Sequence, residues 1–458
     1  MTIAMIPASH DDDTSPVSGC GPLGLILAAP SSSTGKTTLT LALLRLLRDA
    51  GRRVASVKIG PDYIDPAFHA AASGRPCRNL DAWAMRPPTL AELAWRAGDE
   101  AELVLAEGVM GLFDGVAGRC GTTAEVALAT GWPVVLIVDV RGQAGSVAAV
   151  VHGFDRFHPN LRLAGVILNR VSSDRHELLL RRALDPLGIP VLGAVRRRPE
   201  LSLPDRHLGL VQASEHPDLE TFLQHAARLI GRDVDGPALA ATARPLRPSR
   251  PSPGTVPGLP PLGQRIAIAR DRAFAFAYDG ILEGWQAAGA EILPFSPLLN
   301  QGPAHDADAV YLPGGYPELH AGPLANAPHF LDGLRAAAQA GKPIYGECGG
   351  YMVLGRGLVD AEGRRHAMAG LLELESSFAQ RKLHLGYRQV ELAEDTPFGP
   401  IGTTFRGHEF HFATVLGEPA QRPLFLCHDA EGTPHPPAGE RKGSVIGSFI
   451  HLIDTGEP

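Results

Sequence analysis

The feature that most constrains this chain is a junction near its start, where an apolar strand breaks through a hydroxyl-rich loop into a helix. Leu23–Ala29 reads LGLILAA, a run of the fully buried kind found in parallel sheets. It passes directly into Pro30-Ser-Ser-Ser-Thr-Gly-Lys-Thr-Thr38, and an apolar helix, Leu39–Asp49, follows and ends at Gly51. Strand, loop, Gly35-Lys36-Thr37 and helix, in that order, are the context a phosphate-binding loop requires. Backbone N–H groups of Thr34, Gly35, Lys36, Thr37 and Thr38 would cradle phosphate oxygens at the start of the helix. Lys36 would reach the β and γ phosphates, and the Thr37 hydroxyl would complete the coordination of a magnesium ion. One departure stands out: the first glycine of G-x-x-x-x-G-K-T is Pro30 here.

The following strands extend the same sheet. Val54–Lys58 opens into Gly60-Pro-Asp-Tyr-Ile-Asp-Pro66, and Leu103–Glu107 runs into Glu107-Gly-Val-Met-Gly-Leu-Phe-Asp-Gly115. Open α/β sheets bind ligands beyond the carboxyl ends of their strands, so Asp62, Glu107 and Asp114 are candidates for magnesium ligation or water positioning near a γ-phosphate. Asp65 reads equally well as a solvated loop carboxylate. Further strands at Pro133–Asp139, Leu163–Leu168 and Val191–Val195 alternate with helices such as Arg175–Leu184, which indicates a mostly parallel, doubly wound sheet.

At 458 residues two or three domains are expected. Eight prolines within Pro237–Pro261 mark residues 236–263 as a semi-rigid linker, dividing a P-loop domain at 23–235 from a second domain at 264–458. Residues 1–22 carry His10-Asp-Asp-Asp13 and no basic-then-apolar pattern, and read as a disordered tail instead of a signal peptide. A net charge of −7 argues against a nucleic-acid surface, and no apolar run approaches the roughly 18 residues that span a bilayer. Five scattered cysteines without C-x-x-C spacing suggest neither a disulfide framework nor zinc, and a cytoplasmic protein is expected.

The second half has its own focus. Arg265–Arg270 restarts a fold, with a helix at Ile281–Ala288 and strands at Glu291–Phe295 and Ala309–Pro313, the last opening into Gly314-Gly-Tyr-Pro-Glu318. Gly341–Gly350 then reads G-K-P-I-Y-G-E-C-G-G. Cys348 in its Gly-x-Cys-x-Gly frame has the form of a strand-to-helix turn that presents a nucleophile, with the next helix aiming its positive end at the sulfur. Acyl transfer by a cysteine needs an oxyanion hole, for which the amides of Gly315 and Gly349 are placed, and a base. Among 18 histidines the base is best read as His451, a polar ring within the late apolar strand Ser444–Asp454. His408 and His411 are rivals, but strand alternation sets their rings on opposite faces.

Gly346-Glu-Cys-Gly-Gly350, Pro313-Gly-Gly-Tyr-Pro-Glu318 and His451 resemble a class I glutamine amidotransferase domain. Ala29-Pro30…Gly35-Lys-Thr-Thr38, Lys58…Gly60-Pro-Asp-Tyr-Ile-Asp-Pro66, Glu107–Gly115 and Arg406-Gly-His-Glu-Phe-His411 narrow the likeness. Collinear beyond the first twenty or so residues, they resemble the cobyrinic acid/hydrogenobyrinic acid a,c-diamide synthase family of cobalamin biosynthesis. The resemblance implies two doubly wound α/β domains, a P-loop NTPase-like domain followed by a glutaminase. It implies Mg2+ and ATP as cofactor and co-substrate, phosphorylation of a corrin acetate, and attack by glutamine-derived ammonia at the c and then the a position. Cys348 carries over as nucleophile, His451 as base, Tyr63 and Ile64 as substrate-binding residues, and Asp62, Glu107 and Asp114 as acidic positions at the reacting phosphate. Thr37, Asp62 and Glu107 carry over as metal contacts. The partners implied are corrinoid, glutamine and ATP, with no nucleic acid or membrane; a homodimer is left open.

Two departures bear on these roles. Triad-type relatives carry His-x-Glu where this chain reads His451-Leu-Ile453, so a cysteine–histidine dyad without an orienting glutamate is expected. Ser33 stands where relatives often have glycine. Competing readings are a cobyric acid synthase or other tetrapyrrole amidase, which the Gly60–Pro66 stretch disfavours, and a partition-type P-loop ATPase, which the Cys348 turn disfavours.

Overall fold

A computed structural model describes residues 21–99, 101–116, 120–201, 205–206, 209–210, 212–251, 258–417 and 423–456. The expected tail lies almost wholly outside them. Seven parallel strands form the first sheet: β1 (Leu23–Ala28), β2 (Val54–Ile59), β3 (Cys77–Leu80), β4 (Leu103–Glu107), β5 (Val134–Asp139), β6 (Leu163–Val171) and β7 (Val191–Arg196). They lie in the order β3-β2-β4-β1-β5-β6-β7. β2 and β4 are buried at every position because helices cover both faces, which is why these strands are apolar without alternation. From β1 the chain runs out to one side, and from β4 it crosses to β5 on the other. The carboxyl ends of β1 and β4 therefore flank a crevice of the kind that binds ligands.

The first part of the proline-rich stretch packs on the first sheet. Gly236–Ala241 is a helix capped by the Asp235 side chain, Arg244–Pro245 pairs antiparallel with the start of β1, and Leu239 and Leu246 are buried. Trp95 Nε1 donates to the carbonyl of Pro248 (2.9 Å). Prolines are tolerated because the added strand is only two residues long and pairs with β1 alone.

The second sheet has ten strands. Five parallel ones, in spatial order Glu291–Phe295, Arg265–Ala269, Ala309–Leu312, Ile344–Glu347 and Val445–Ser448, continue into an antiparallel half that ends with Thr404–His411 and Ile450–Thr455. The late strand read from sequence as one unit is thus two, broken at Phe449. Val445–Ser448 sits mid-sheet and Ile450–Thr455 at its far edge, with one residue between them. The antiparallel half must curl back over the parallel half, which carries His451 to the end of the Ile344–Glu347 strand.

The two α/β halves meet along a polar interface. Arg86 pairs bidentately with the buried Asp454, and Tyr387 donates to Asp81 Oδ2 (2.6 Å). Arg406 Nη1 donates to the carbonyl of Trp83 (2.6 Å), and Arg78 pairs with Glu283 (2.8 Å).

Candidate active site

The phosphate end is built where β1, β2 and β4 stop. Gly35 takes a left-handed conformation (φ 90°) that a side chain would oppose, and Ser33 (φ 60°) is also left-handed, a conformation that glycine adopts more readily. Lys36 Nζ folds back onto the carbonyl of Met110 (2.5 Å), and burial brings its pKa down to about 8 against the pull of Glu107. Thr37 Oγ1 donates to Glu107 Oε1 (2.6 Å) and lies 3.4 Å from Asp65 Oδ2. Lys58 Nζ bridges the two carboxylates, at 2.5 Å from Asp65 and 2.9 Å from Glu107.

Glu107 is buried, which by itself would raise its pKa. Lys58 and His69, whose Nε2 lies 2.7 Å from Glu107 Oε2, hold it instead well below the usual carboxylate range. Burial opposes charge on His69 as well, yet Cys77 and Glu107 raise it to about 10. Asp65 differs: burial, with Asp62 and Glu107 adding to it, pushes its carboxyl up to about 6 against the pull of Lys58.

Asp62 Oδ1 accepts the N–H groups of Ile64 (2.8 Å) and Asp65 (3.1 Å) and so braces the turn. Asp65, which read equally well as a solvated loop carboxylate, joins Glu107 beside Thr37. Asp114 lies close to Lys36 but uses Oδ2 to accept Gly111 N–H (2.9 Å). Two carboxylates and a hydroxyl are a hard-oxygen set of the kind magnesium takes.

A cleft of about 490 Å³ opens beside the loop, lined by Gly35, Thr37 and Thr38 together with Asn169, Arg170 and Arg197. Asn169 Nδ2 donates to the carbonyl of Thr34 (2.7 Å), and Arg170 (φ 63°) reaches the carbonyl of Ser33 (2.9 Å). The sequence signal for this pair was Asn-Arg ending the apolar run of β6.

The thiol end shows the geometry of a nucleophile turn. Cys348 (φ 48°, ψ −102°) sits in strained backbone between the Ile344–Glu347 strand and the Gly349–Leu354 helix, its N–H held by the carbonyl of Ser448 (2.8 Å). A Cβ on Gly350 would stand 1.9 Å from the carbonyl oxygen of Leu312, so only glycine lets the turn close. The carbonyl of Gly314 accepts Phe276 N–H (2.9 Å), which turns the amide of the same peptide, Gly315 N–H, to the opposite side. There Gly315 N lies 2.9 Å from where a Cβ on Gly349 would be, so the two glycines expected to form an oxyanion hole meet.

His451 is fully buried. Its Nδ1 lies 3.1 Å from Oε1 of Glu347, itself fully buried. Burial opposes charge on the ring, but Glu347 and Cys348 together raise its pKa to about 10. The sequence showed no orienting glutamate after His451; a carboxylate does stand at ion-pair distance, on the residue immediately before the nucleophile. Asp454, near His451 in sequence, instead pairs with Arg86. His408 is the cross-strand neighbour of His451, while His411 stacks on Phe449 (3.9 Å) beside Glu409 (3.1 Å) and His384.

One four-residue turn spans both ends. Asp65 faces the phosphate loop, while Tyr63, two residues earlier, stacks on the His451 ring with centroids 4.8 Å apart. Tyr63 donates to the carbonyl of Phe410 (3.1 Å), and Tyr278 returns a hydroxyl to the carbonyl of Pro61 (2.8 Å). Tyr63 and Ile64 also line a cavity of about 550 Å³ between the halves, together with Arg270, Arg272 and Phe276.

A phosphate-binding crevice and a cysteine–histidine pocket joined in this way define a glutamine amidotransferase coupled to a nucleotide-binding domain. Residues 25–211 match the CobQ/CobB/MinD/ParA nucleotide binding domain, and residues 265–457 match the CobB/CobQ-like glutamine amidotransferase domain. Hydrogenobyrinate a,c-diamide synthase of Brucella anthropi is 54% identical over 433 residues, covering 94% of this chain and 98% of the relative. The protein of that name from Rhizobium meliloti is 53% identical over 435 residues (95% and 100%), and that from Rhodobacter capsulatus 54% over 437 residues (94% and 99%). The chain belongs to the hydrogenobyrinate a,c-diamide synthase family.

Proposed function

We propose that this protein converts the a- and c-acetate carboxylates of hydrogenobyrinic acid to amides, using ATP to activate each carboxylate and glutamine to supply nitrogen. The observation that carries the reading is the turn at residues 62–65, which reaches the phosphate loop through Asp65 and the glutaminase base through Tyr63. A carboxylate is a poor acyl donor until one oxygen becomes a phosphate leaving group. Ammonia at neutral pH is mostly ammonium, so it must be released beside the acyl phosphate that will capture it.

In this reading Lys36 and the loop amides hold the triphosphate, and Asn169 and Arg170 border the rest of the nucleotide. Thr37, Asp65 and Glu107 would hold a magnesium ion, which when bound screens charge on the phosphates. The carboxylate oxygen attacks the γ-phosphorus and ADP leaves. Cys348 attacks the glutamine amide, His451 passes a proton to the departing ammonia, and water clears the thioester. Ammonia then displaces phosphate from the acyl phosphate. The cavity beside Tyr63 and Ile64, with Arg270 and Arg272 on its wall, is where the corrinoid acetate enters. A homodimeric assembly in the cytoplasm fits this role.

The test is the mass of the product formed from hydrogenobyrinic acid with ATP and glutamine. Two carboxyl-to-amide conversions are expected; four conversions, or none, would refute the assignment.

A further inference from the structure

His451 needs something to fix its ring, and the sequence position that usually supplies it is filled by Ile453. We infer that Glu347, the residue before the nucleophile, is the positioning residue of the glutaminase: it holds His451 through Nδ1 so that Nε2 serves Cys348. The inference rests on the assignment of Cys348 and His451 as nucleophile and base.

A carboxylate in this place is costly, since removing an ion from water carries a penalty of several kcal/mol unless its lone pairs are met. Every oxygen of Glu347 is met, and each partner belongs to the site. Tyr311 donates to Oε1 (3.0 Å), and Tyr345 donates to Oε2 (2.9 Å). The backbone N–H of Leu452 also donates to Oε2 (3.1 Å), which ties the carboxylate to the strand that carries His451. His451 Nδ1 completes the set at 3.1 Å from Oε1. Among the described residues no Lys or Arg lies within ion-pair distance of Glu347, so the imidazolium is the one side-chain cation available to it. Both ring nitrogens of His451 are buried without a hydrogen bond of good geometry, and the one charged atom beside them among the described residues is Glu347 Oε1 at ion-pair distance from Nδ1. A carboxylate on one nitrogen and a thiol at the other is the arrangement that sets the tautomer of a catalytic histidine.

The topology explains how a residue adjacent to the cysteine can do this. In a continued strand, Glu347 and Cys348 would point to opposite faces. The left-handed φ of Cys348 turns the thiol out at the strand end, while Glu347 remains inside on its last buried position. The curled antiparallel half then lays His451 across both.

The test compares Glu347→Gln with the parent in two assays on the same preparation, glutamine hydrolysis and ammonium-dependent amidation. Glutaminase kcat is expected to fall at least about 100-fold, as it does when a triad carboxylate becomes an amide, with KM for glutamine within about twofold. Ammonium-dependent amidation, measured in ammonium excess, stays within about twofold and doubles as the folding control. The alkaline limb of the glutaminase pH profile moves to lower pH, because the imidazolium loses its anion. Should Glu347→Gln not fold, Tyr311→Phe combined with Tyr345→Phe keeps the charge but frees the carboxylate, and a several-fold drop in glutaminase kcat alone is expected. A glutaminase kcat within about threefold of the parent, or equal losses in both assays, would overturn the role of Glu347. Cys348→Ala run in parallel separates this from failure of the underlying reading: if that variant still hydrolyses glutamine, the assignment of the thiol falls first.

Discussion

Each half of the molecule buries a glutamate at the carboxyl end of a central parallel strand, and the two are treated in opposite ways. Glu107 is surrounded by Lys58, His69 and the Thr37 hydroxyl and is held ionised. Glu347 is surrounded by two tyrosine hydroxyls and a backbone N–H, with His451 as its cationic partner. The first is an anion locked by permanent charge, suited to standing beside phosphate and metal. The second can be balanced only by a ring that gains and loses a proton, suited to acid–base work. Identical side chains in equivalent strand positions thus acquire different chemistry from their neighbours.

The comparison breaks most sharply at Glu107. Glu107→Gln should lower amidation at least about 100-fold with glutamine or ammonium as nitrogen source while leaving glutamine hydrolysis measurable. Comparable rates of ammonium-dependent amidation before and after the substitution would remove Glu107 from the phosphate site.

A second contrast is internal to the phosphate end. Asp65 titrates near 6 where Glu107 stays ionised, so nucleotide- and metal-dependent turnover should fall as pH drops through about 6. The sign for stability is the reverse. A carboxyl whose folded pKa is raised stabilises the metal-free fold below its unfolded value of 3.8 and loses that contribution as pH rises through about 6. Asp65→Asn should therefore leave the thermal midpoint of the metal-free protein unchanged or higher at pH 7, with the advantage shrinking toward pH 4, while amidation is lost. A lower midpoint at pH 7 would show that the pair with Lys58 outweighs the cost of burying the charge.

The smallest effect concerns the turn that joins the two regions. Tyr63→Ala removes the ring stacked on His451 and should lower glutaminase kcat about 3- to 10-fold, an amount in keeping with roughly 0.5–1.5 kcal/mol for an aromatic contact. Tyr63→Phe keeps the stack and should lose less. Equal effects from both would shift the weight from the ring to the hydroxyl bonded to Phe410.

The phosphate end was the more legible of the two regions, because its residues follow one another at strand ends and a loop has no choice about facing the crevice. Glu107, Thr37 and Lys36 came from that logic. Asp62 and Asp65 did not separate, because either carboxylate can brace a turn; the hydrogen bonds of Asp62 to Ile64 and Asp65 decide it, and spacing does not encode them. Asn169 went unread because its signal was a polar residue closing a long apolar strand, far in sequence from the loop it borders.

The thiol end was legible at Cys348 and His451 and misleading beside them. A carboxylate was sought two residues after the histidine, whereas it precedes the cysteine, and a curled sheet is needed to bring the two strands together. A hint was present all the same: an acidic residue after Ile344-Tyr345-Gly346 ends a strand that is otherwise buried and apolar. The proline count at 237–261 suggested a semi-rigid linker, and pairing of Arg244–Pro245 with β1 and burial of Leu246 pack its first part against the first sheet.

The most direct measurement is amidation of hydrogenobyrinic acid by Cys348→Ala, supplied in turn with glutamine and with excess ammonium chloride. Glutamine-dependent product should vanish while ammonium-dependent product persists at a rate near that of the parent. Loss of both together, or survival of the glutamine-dependent rate, would contradict a phosphate half and a thiol half that meet only through ammonia.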